Sequence, residues 1–247
     1  MRVLALDTST RAGSAALVED DRVVDERSGD GARTHALRLP GEVVALAEAN
    51  AWPLSGIDLY AVASGPGSFT GLRIGIATIQ GLAFVHGRRV VGVPVLGALA
   101  HAASGDLPPG TVIAAWMDAH RRDVFTALYE VTGARPFSRA RLTEVEGPRV
   151  GDPAATLTRW RTLALQWPTV FVGDGAVLYK ADIALESPVC RVQPPPSLAG
   201  AIGLLAVDQA ADAVEPHAVR PLYVRRTDVE RLRDEKLLVA REHSRDT

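Results

Sequence analysis

Two short stretches of this 247-residue chain carry the residue types best suited to chemistry. Asp7-Thr8-Ser9 places a carboxylate beside two hydroxyls, a set that can order the water shell of a nucleotide-bound Mg²⁺ and donate to phosphate, or simply satisfy backbone N–H groups in a bend. Ser64-Gly65-Pro66-Gly67-Ser68-Phe69-Thr70-Gly71 places three glycines between an apolar run and an amphipathic one. Glycines let a backbone come close to another group, and a following helix adds the partial positive charge of its N-terminus. Gly65, Gly67 and Ser68 are therefore candidate phosphate contacts with Asp7, Thr8 and Ser9, and a tight packing turn is the competing reading. No Gly-Lys-Ser/Thr closes the loop as in a P-loop, and Gly65-Pro66-Gly67 lacks the dinucleotide spacing. Ser68 at a helix entry suits a cap, and Gly-x-Ser-x-Gly is absent. The histidines (35, 86, 101, 120, 217 and 243) are too scattered for two to share a helix turn, so the sequence offers no metal set and no catalytic residue.

These stretches need elements to position them. Val3–Leu6 reads as a buried strand, followed by Gly13–Val18, a turn at Asp20-Asp21 and a third strand at Arg22–Glu26, which puts Asp7 in the bend of a hairpin. Spacing predicts a helix from His35 to Asn50, a strand at Leu59–Ala63, and a helix from Leu72 to Val85 that stops at Gly87. A strand at Arg89–Val93 and a short helix from Leu96 to Ala103 follow. The break Ser104-Gly105-Asp106-Leu107-Pro108-Pro109-Gly110 marks a lobe boundary, dividing the chain into residues 1–103, 104–225 and a charged tail, 226–247, read as a solvated helix or frayed end.

The second part echoes the first. Val112–Asp118 is again an apolar strand ending in aspartate, followed by a turn and a strand at Asp123–Val131. Thr169–Ala176 then runs from a strand into a glycine turn, as Leu59–Gly71 does, and helices near Pro153–Trp167 and Ser197–Ala210 cover the second sheet. A repeat of this kind predicts an α/β chain of two related mixed-sheet lobes, the actin-like ATPase (ASKHA) architecture. Composition agrees, since 47% apolar residues can bury one large core or two small ones. A net charge of −2 gives no basic field to hold a nucleic acid directly. One cysteine, Cys190, excludes an internal disulfide. With no run long enough to cross a bilayer or form a signal-peptide core, the expected location is the cytoplasm and no membrane partner is expected.

Gly65-Pro66-Gly67-Ser68-Phe69-Thr70-Gly71-Leu72-Arg73-Ile74-Gly75, with Asp7-Thr8-Ser9, resembles the TsaB (YeaZ) family. Supporting pieces are His35, Val91-Gly92-Val93, Asp118-Ala119 and Pro221-Leu222-Tyr223-Val224-Arg225. The resemblance implies an inactive relative of TsaD, because the segment after Val93, Pro94-Val95-Leu96-Gly97-Ala98-Leu99, lacks the histidine ligands of TsaD-like proteins. It implies an accessory subunit that pairs with a TsaD-like catalytic subunit, recruits a TsaE-like ATPase, and serves threonylcarbamoylation of the adenosine beside the anticodon in tRNAs reading A-starting codons. The tRNA would be met only through the complex, the free chain could form a homodimer, and no cofactor is required beyond weak ATP or ADP with Mg²⁺. In such proteins the helices here at His35–Asn50 and Leu72–Val85 form the association surface, so Leu72, Arg73, Gly75, Ile76, Ile79, Leu82 and Ala83 are the expected interface. The alternatives are a phosphotransferase of the actin-like architecture or a glycoprotease-like peptidase.

Overall fold

A computed structural model describes residues 1–162 and 167–225, so the charged tail 226–247 lies outside the described residues. The first half runs β1 (Arg2–Asp7), β2 (Ser14–Glu19), β3 (Arg22–Ser28), α1 (His35–Ala49), β4 (Leu59–Gly65), α2 (Phe69–Val85), β5 (Arg89–Pro94) and α3 (Val95–Ala103). The second runs β6 (Val112–Asp118), β7 (Val124–Val131), β8 (Leu142–Gly151), α4 (Pro153–Thr162), β9 (Val170–Val172), α5 (Asp174–Leu178), α6 (Lys180–Glu186), β10 (Arg191–Gln193) and α7 (Ala199–Asp208).

The strands form two five-stranded sheets ordered β3-β2-β1-β4-β5 and β10-β9-β6-β7-β8. In each, an antiparallel hairpin lies on one side of the first strand and a parallel strand on the other: β1 pairs β2 antiparallel and β4 parallel, as β6 pairs β7 and β9. The duplicated mixed-sheet lobes read from the sequence are therefore present. Two edge strands had no sequence signal. β8 is half-exposed and interrupted by Gly147-Pro148, and β10 is only three residues long before a proline run, so neither carries an apolar alternation.

Three apolar clusters hold the layers. One packs the outer face of the first sheet, through Leu4, Leu6, Leu17 and Tyr60, under α1 and α2. Another packs the outer face of the second sheet around Trp116, Trp160 and Phe171, whose rings meet edge-on or tilted. The largest lies between the sheets, where the inner faces of both strand sets meet α3 and α7.

The lobe boundary differs from the one placed at the linker. Helix α7 and the segment after it, assigned to the second lobe by composition, pack on the first sheet, while α3, from the first half of the chain, packs on β6 and β7. The exchange has a local cause. Ser14 Oγ accepts from the N–H groups of Leu198 and Ala199, and Glu26 Oε1 from Gly200, so side chains of β2 and β3 satisfy the open N-terminus of α7. A Cβ on Gly203 would stand 2.5 Å from Val18 Cγ2, so that glycine sets the closeness of helix and sheet. Beyond α7 the chain continues along the first lobe. Val214 pairs with Val90, and Leu222 N–H donates to Ser64 O at 2.6 Å.

Candidate functional site

The two stretches singled out in the sequence meet. Asp7 ends β1, and its Oδ1 accepts from Ser9 N–H at 2.8 Å, folding the bend into an Asx turn. The glycine loop closes over that bend, with Ser68 N–H donating to Ser9 O at 2.7 Å and Ser68 Oγ capping α2 by accepting from Gly71 N–H at 3.2 Å. The first turns of α2 then lie directly on the hairpin. A Cβ on Gly71 would stand 2.2 Å from Thr8 O, and one on Gly75 2.1 Å from Thr8 Oγ1. The structure thus brings Asp7, Thr8, Ser9, Gly67 and Ser68 together, but against one another. Asp7, Thr8 and Ser9 are buried, and the backbone contact that the glycines permit is spent within the chain. Burial pushes the Asp7 carboxyl above its ordinary value against the hydrogen bonds from Ser9, with Asp174 of the other lobe adding to the rise.

A second layer of the hairpin went unread in the sequence. His35 and Arg38, one turn apart at the start of α1, are both buried and hold the residues after Ser9. His35 Nε2–H donates to Thr10 O at 2.9 Å, and its Nδ1 accepts from Arg38 Nη2 at 2.9 Å. Arg38 also donates to the carbonyls of Arg11 and Ala12 and pairs with Glu42 at 2.5 Å. The available signal was an arginine on the apolar face of an amphipathic helix, three residues after a histidine.

The pseudo-symmetric bend is built differently. Asp118 Oδ1 accepts from His120 N–H at 2.8 Å, the same Asx turn, while Asp174 Oδ1 accepts from Asp118 N–H at 3.0 Å. Yet the Asp118 side chain is 27% exposed and His120 is 84% exposed. His120, Arg121 and Arg122 all have positive φ, three left-handed residues in succession without a glycine. Arg225 anchors the bend, donating to Ala119 O at 2.9 Å and to Asp123 Oδ2 at 2.5 Å. Among the described residues, no three His, Cys, Asp or Glu converge where they could hold a metal ion.

The expected interface requires correction. Leu72, Gly75, Ile76, Ile79 and Ala83 are buried within this chain, facing β1, β4 and the hairpin, because the glycine loop docks α2 by that face. Of the seven residues, Arg73 and Leu82 reach the surface. The solvent face of α2 is Arg73, Ala77, Gly81 and Phe84, with Ile74 and Thr78 half-buried beside them. Alongside it α1 exposes Leu37, Pro40, Gly41, Val44 and Ala45. Phe84 is 81% and Leu37 71% exposed, and no atom lies within 4 Å of a Cβ placed on Gly81. Two adjacent helices therefore present an apolar surface with small residues at its centre, which allows close approach by another helix.

The chain is similar in sequence and fold to known proteins. The family model of TsaD, tRNA N6-adenosine threonylcarbamoyltransferase, matches residues 29–184. The tRNA threonylcarbamoyladenosine biosynthesis protein TsaB of Escherichia coli is 37% identical over 196 residues, covering 76% of this chain and 82% of that protein. An uncharacterised protein of Mycobacterium tuberculosis is 36% identical over 93% of this chain and 94% of its own length. A solved Pseudomonas aeruginosa structure, described as similar to peptidase YeaZ, superposes with a TM-score of 0.69 at 30% identity, covering 91% of this chain and 99% of that one.

Proposed function

The chain belongs to the TsaB (YeaZ) family, and from that premise we propose that it is the non-catalytic accessory subunit of a threonylcarbamoyladenosine-forming complex. It pairs with a TsaD-like catalytic subunit through the solvent faces of α1 and α2 and, as part of that pair, engages a TsaE-like ATPase. It works in the cytoplasm, meets tRNA through the complex, and needs no cofactor of its own. The observation that carries this reading is the exposed apolar surface of Leu37, Val44, Ala77, Gly81 and Phe84, since an aqueous monomer gains nothing from presenting such a face. The buried hairpin supports the non-catalytic part, because Asp7, Thr8 and Ser9 are turned to internal contacts. The described residues contain no helix long and apolar enough to cross a membrane.

The test is reconstitution. With a TsaD-like subunit, a TsaE-like subunit and a source of threonylcarbamoyl-adenylate, modified tRNA forms only when this chain is added, and the chain alone forms none. Ala77→Glu and Gly81→Glu, at positions with room for a side chain, weaken co-elution with the TsaD-like subunit at least about tenfold while the melting temperature holds, as expected for a charge placed in the core of an interface. Full modification without this chain, or unchanged co-elution of both variants, refutes the reading.

A further inference from the structure

Beside the solvent face of α2 runs a groove of about 350 Å³, closed on its other side by residues 219–223. Its floor is apolar, made by Ile76, Ala77, Val219 and Pro221, and Arg73 and Arg220 stand along it. The wall is fixed in place. Gln80 Nε2 donates to Pro216 O at 2.9 Å and to Val219 O at 3.3 Å, and Leu222 N–H is held by Ser64. Gly65, at φ +116°, makes room for the Leu222 carbonyl, which would lie 2.7 Å from a Cβ at that position.

At one end sits a cluster that a monomer has no need to expose. Phe69, Leu222 and Tyr223 are 43, 39 and 41% exposed. The Arg73 guanidinium lies 3.8 Å over the Phe69 ring, and its Nε donates to Tyr223 Oη at 2.9 Å. Phe69 and Tyr223 pack with centroids 5.2 Å apart. Arg73 is therefore pre-set in one orientation, with its terminal nitrogens given no hydrogen-bond partner among the described residues. Arg220 is steadied through Nη1, which donates to His217 O at 2.8 Å. No acidic residue lines the groove.

We propose that this groove anchors an acidic segment of a partner protein, with a carboxylate between Arg73 and Arg220 and an adjoining aliphatic side chain on the Ile76–Val219 floor. Ordered guanidinium, exposed aromatics and an apolar trough together have the composition of an interface hot spot, and arginine suits bidentate carboxylate recognition. A nucleotide fits less well. Arg73 already covers one face of Phe69, and Tyr223 packs against the same ring. The inference rests on the proposed pairing with a TsaD-like subunit, because the groove borders that surface, and it adds a charged, orienting contact to an apolar one.

The test measures affinity of the full-length chain for the TsaD-like subunit by calorimetry at low and high salt. Arg220→Glu and Arg73→Gln each lower affinity at low salt, the double variant does so at least about tenfold, and the parent's salt dependence shrinks in the variants. Parent-like melting confirms their fold, and Arg220→Lys, which keeps the charge, retains most of the affinity. If the parent binds and the double variant binds within about twofold of it, the groove assignment is overturned while the pairing stands. Failure of the parent itself to bind overturns both. Displacement of the bound partner from the parent by millimolar ADP or inorganic phosphate would mark the groove as a phosphate site instead.

Discussion

The two hairpin bends, Asp7–Ser9 and Asp118–His120, are the same device used to opposite ends. Each follows the central strand of its sheet, and each has an aspartate accepting from the N–H two residues later at 2.8 Å. The first is sealed and the second is open. In the first lobe the helix after the glycine loop has 17 residues, and Gly71 and Gly75 lay its opening turns on Thr8. In the second, a Cβ on Gly173 would reach 1.9 Å from Trp116 O and one on Gly175 2.7 Å from the Met117 carbonyl carbon, but the following helix has five residues and the side chains of Asp118 and His120 stay exposed beyond it. Duplicated topology therefore does not fix whether a loop is available to another molecule. Glycines bring the next helix onto the strand end in both lobes, and what differs is the length of that helix.

This contrast can be broken most severely at Gly75. Gly75→Val drives a branched side chain into Thr8 and should cost more than about 3 kcal/mol, read as a lower urea midpoint, whereas Gly81→Ala on the solvent face should be neutral or better. Equal effects at the two sites would mean that α2 does not rest on the hairpin.

A second prediction concerns the layer that both lobes share. Burial in α3 lowers the His101 pKa from 6.5 to about 4, against the pull of Asp208 and with a further lowering from Arg141. The unfolded chain therefore takes up that proton first. The stability tied to neutral His101 is complete above about pH 6.5 and is lost as the pH falls toward 4, by at most about 3 kcal/mol. Urea titrations at pH 7.5 and 5 should show the loss in a single transition, and His101→Phe should flatten it. Separate transitions for the lobes would show that they do not share one core.

The smallest effect separates the two aspartates themselves. Because burial raises the Asp7 pKa, its charge disfavours the fold at neutral pH, and Asp7→Asn should raise the melting temperature. Asp118→Asn, in an exposed bend, should change stability by less than about 0.5 kcal/mol. Destabilisation by Asp7→Asn in thermal melts would show that the buried charge is needed where it lies.

Much of this architecture was legible in local pattern. The repeat of strand, acid, turn and strand gave two lobes, and the helices starting near His35 and Leu72 lie within three residues of the observed starts. Ser68 is the cap its position suggested. What the pattern missed depends on contacts distant in sequence. Arg38 reads as an exception on an apolar face until the carbonyls of Arg11 and Ala12 appear beside it, and edge strands β8 and β10 are specified by their neighbours rather than by their own residues.

The sequence by itself determined the duplicated α/β plan, the glycine loop and the polar bend, because short-range spacing and turn chemistry dictate those, and the loop's motif carried the resemblance to the family. Only the tertiary structure decided which face of α2 is free, that α3 and α7 cross between the lobes, and that Asp7 is covered. Helical periodicity says that a helix has an apolar side but not what lies against it, and α2 is apolar enough all round that docking geometry alone distinguishes core from surface.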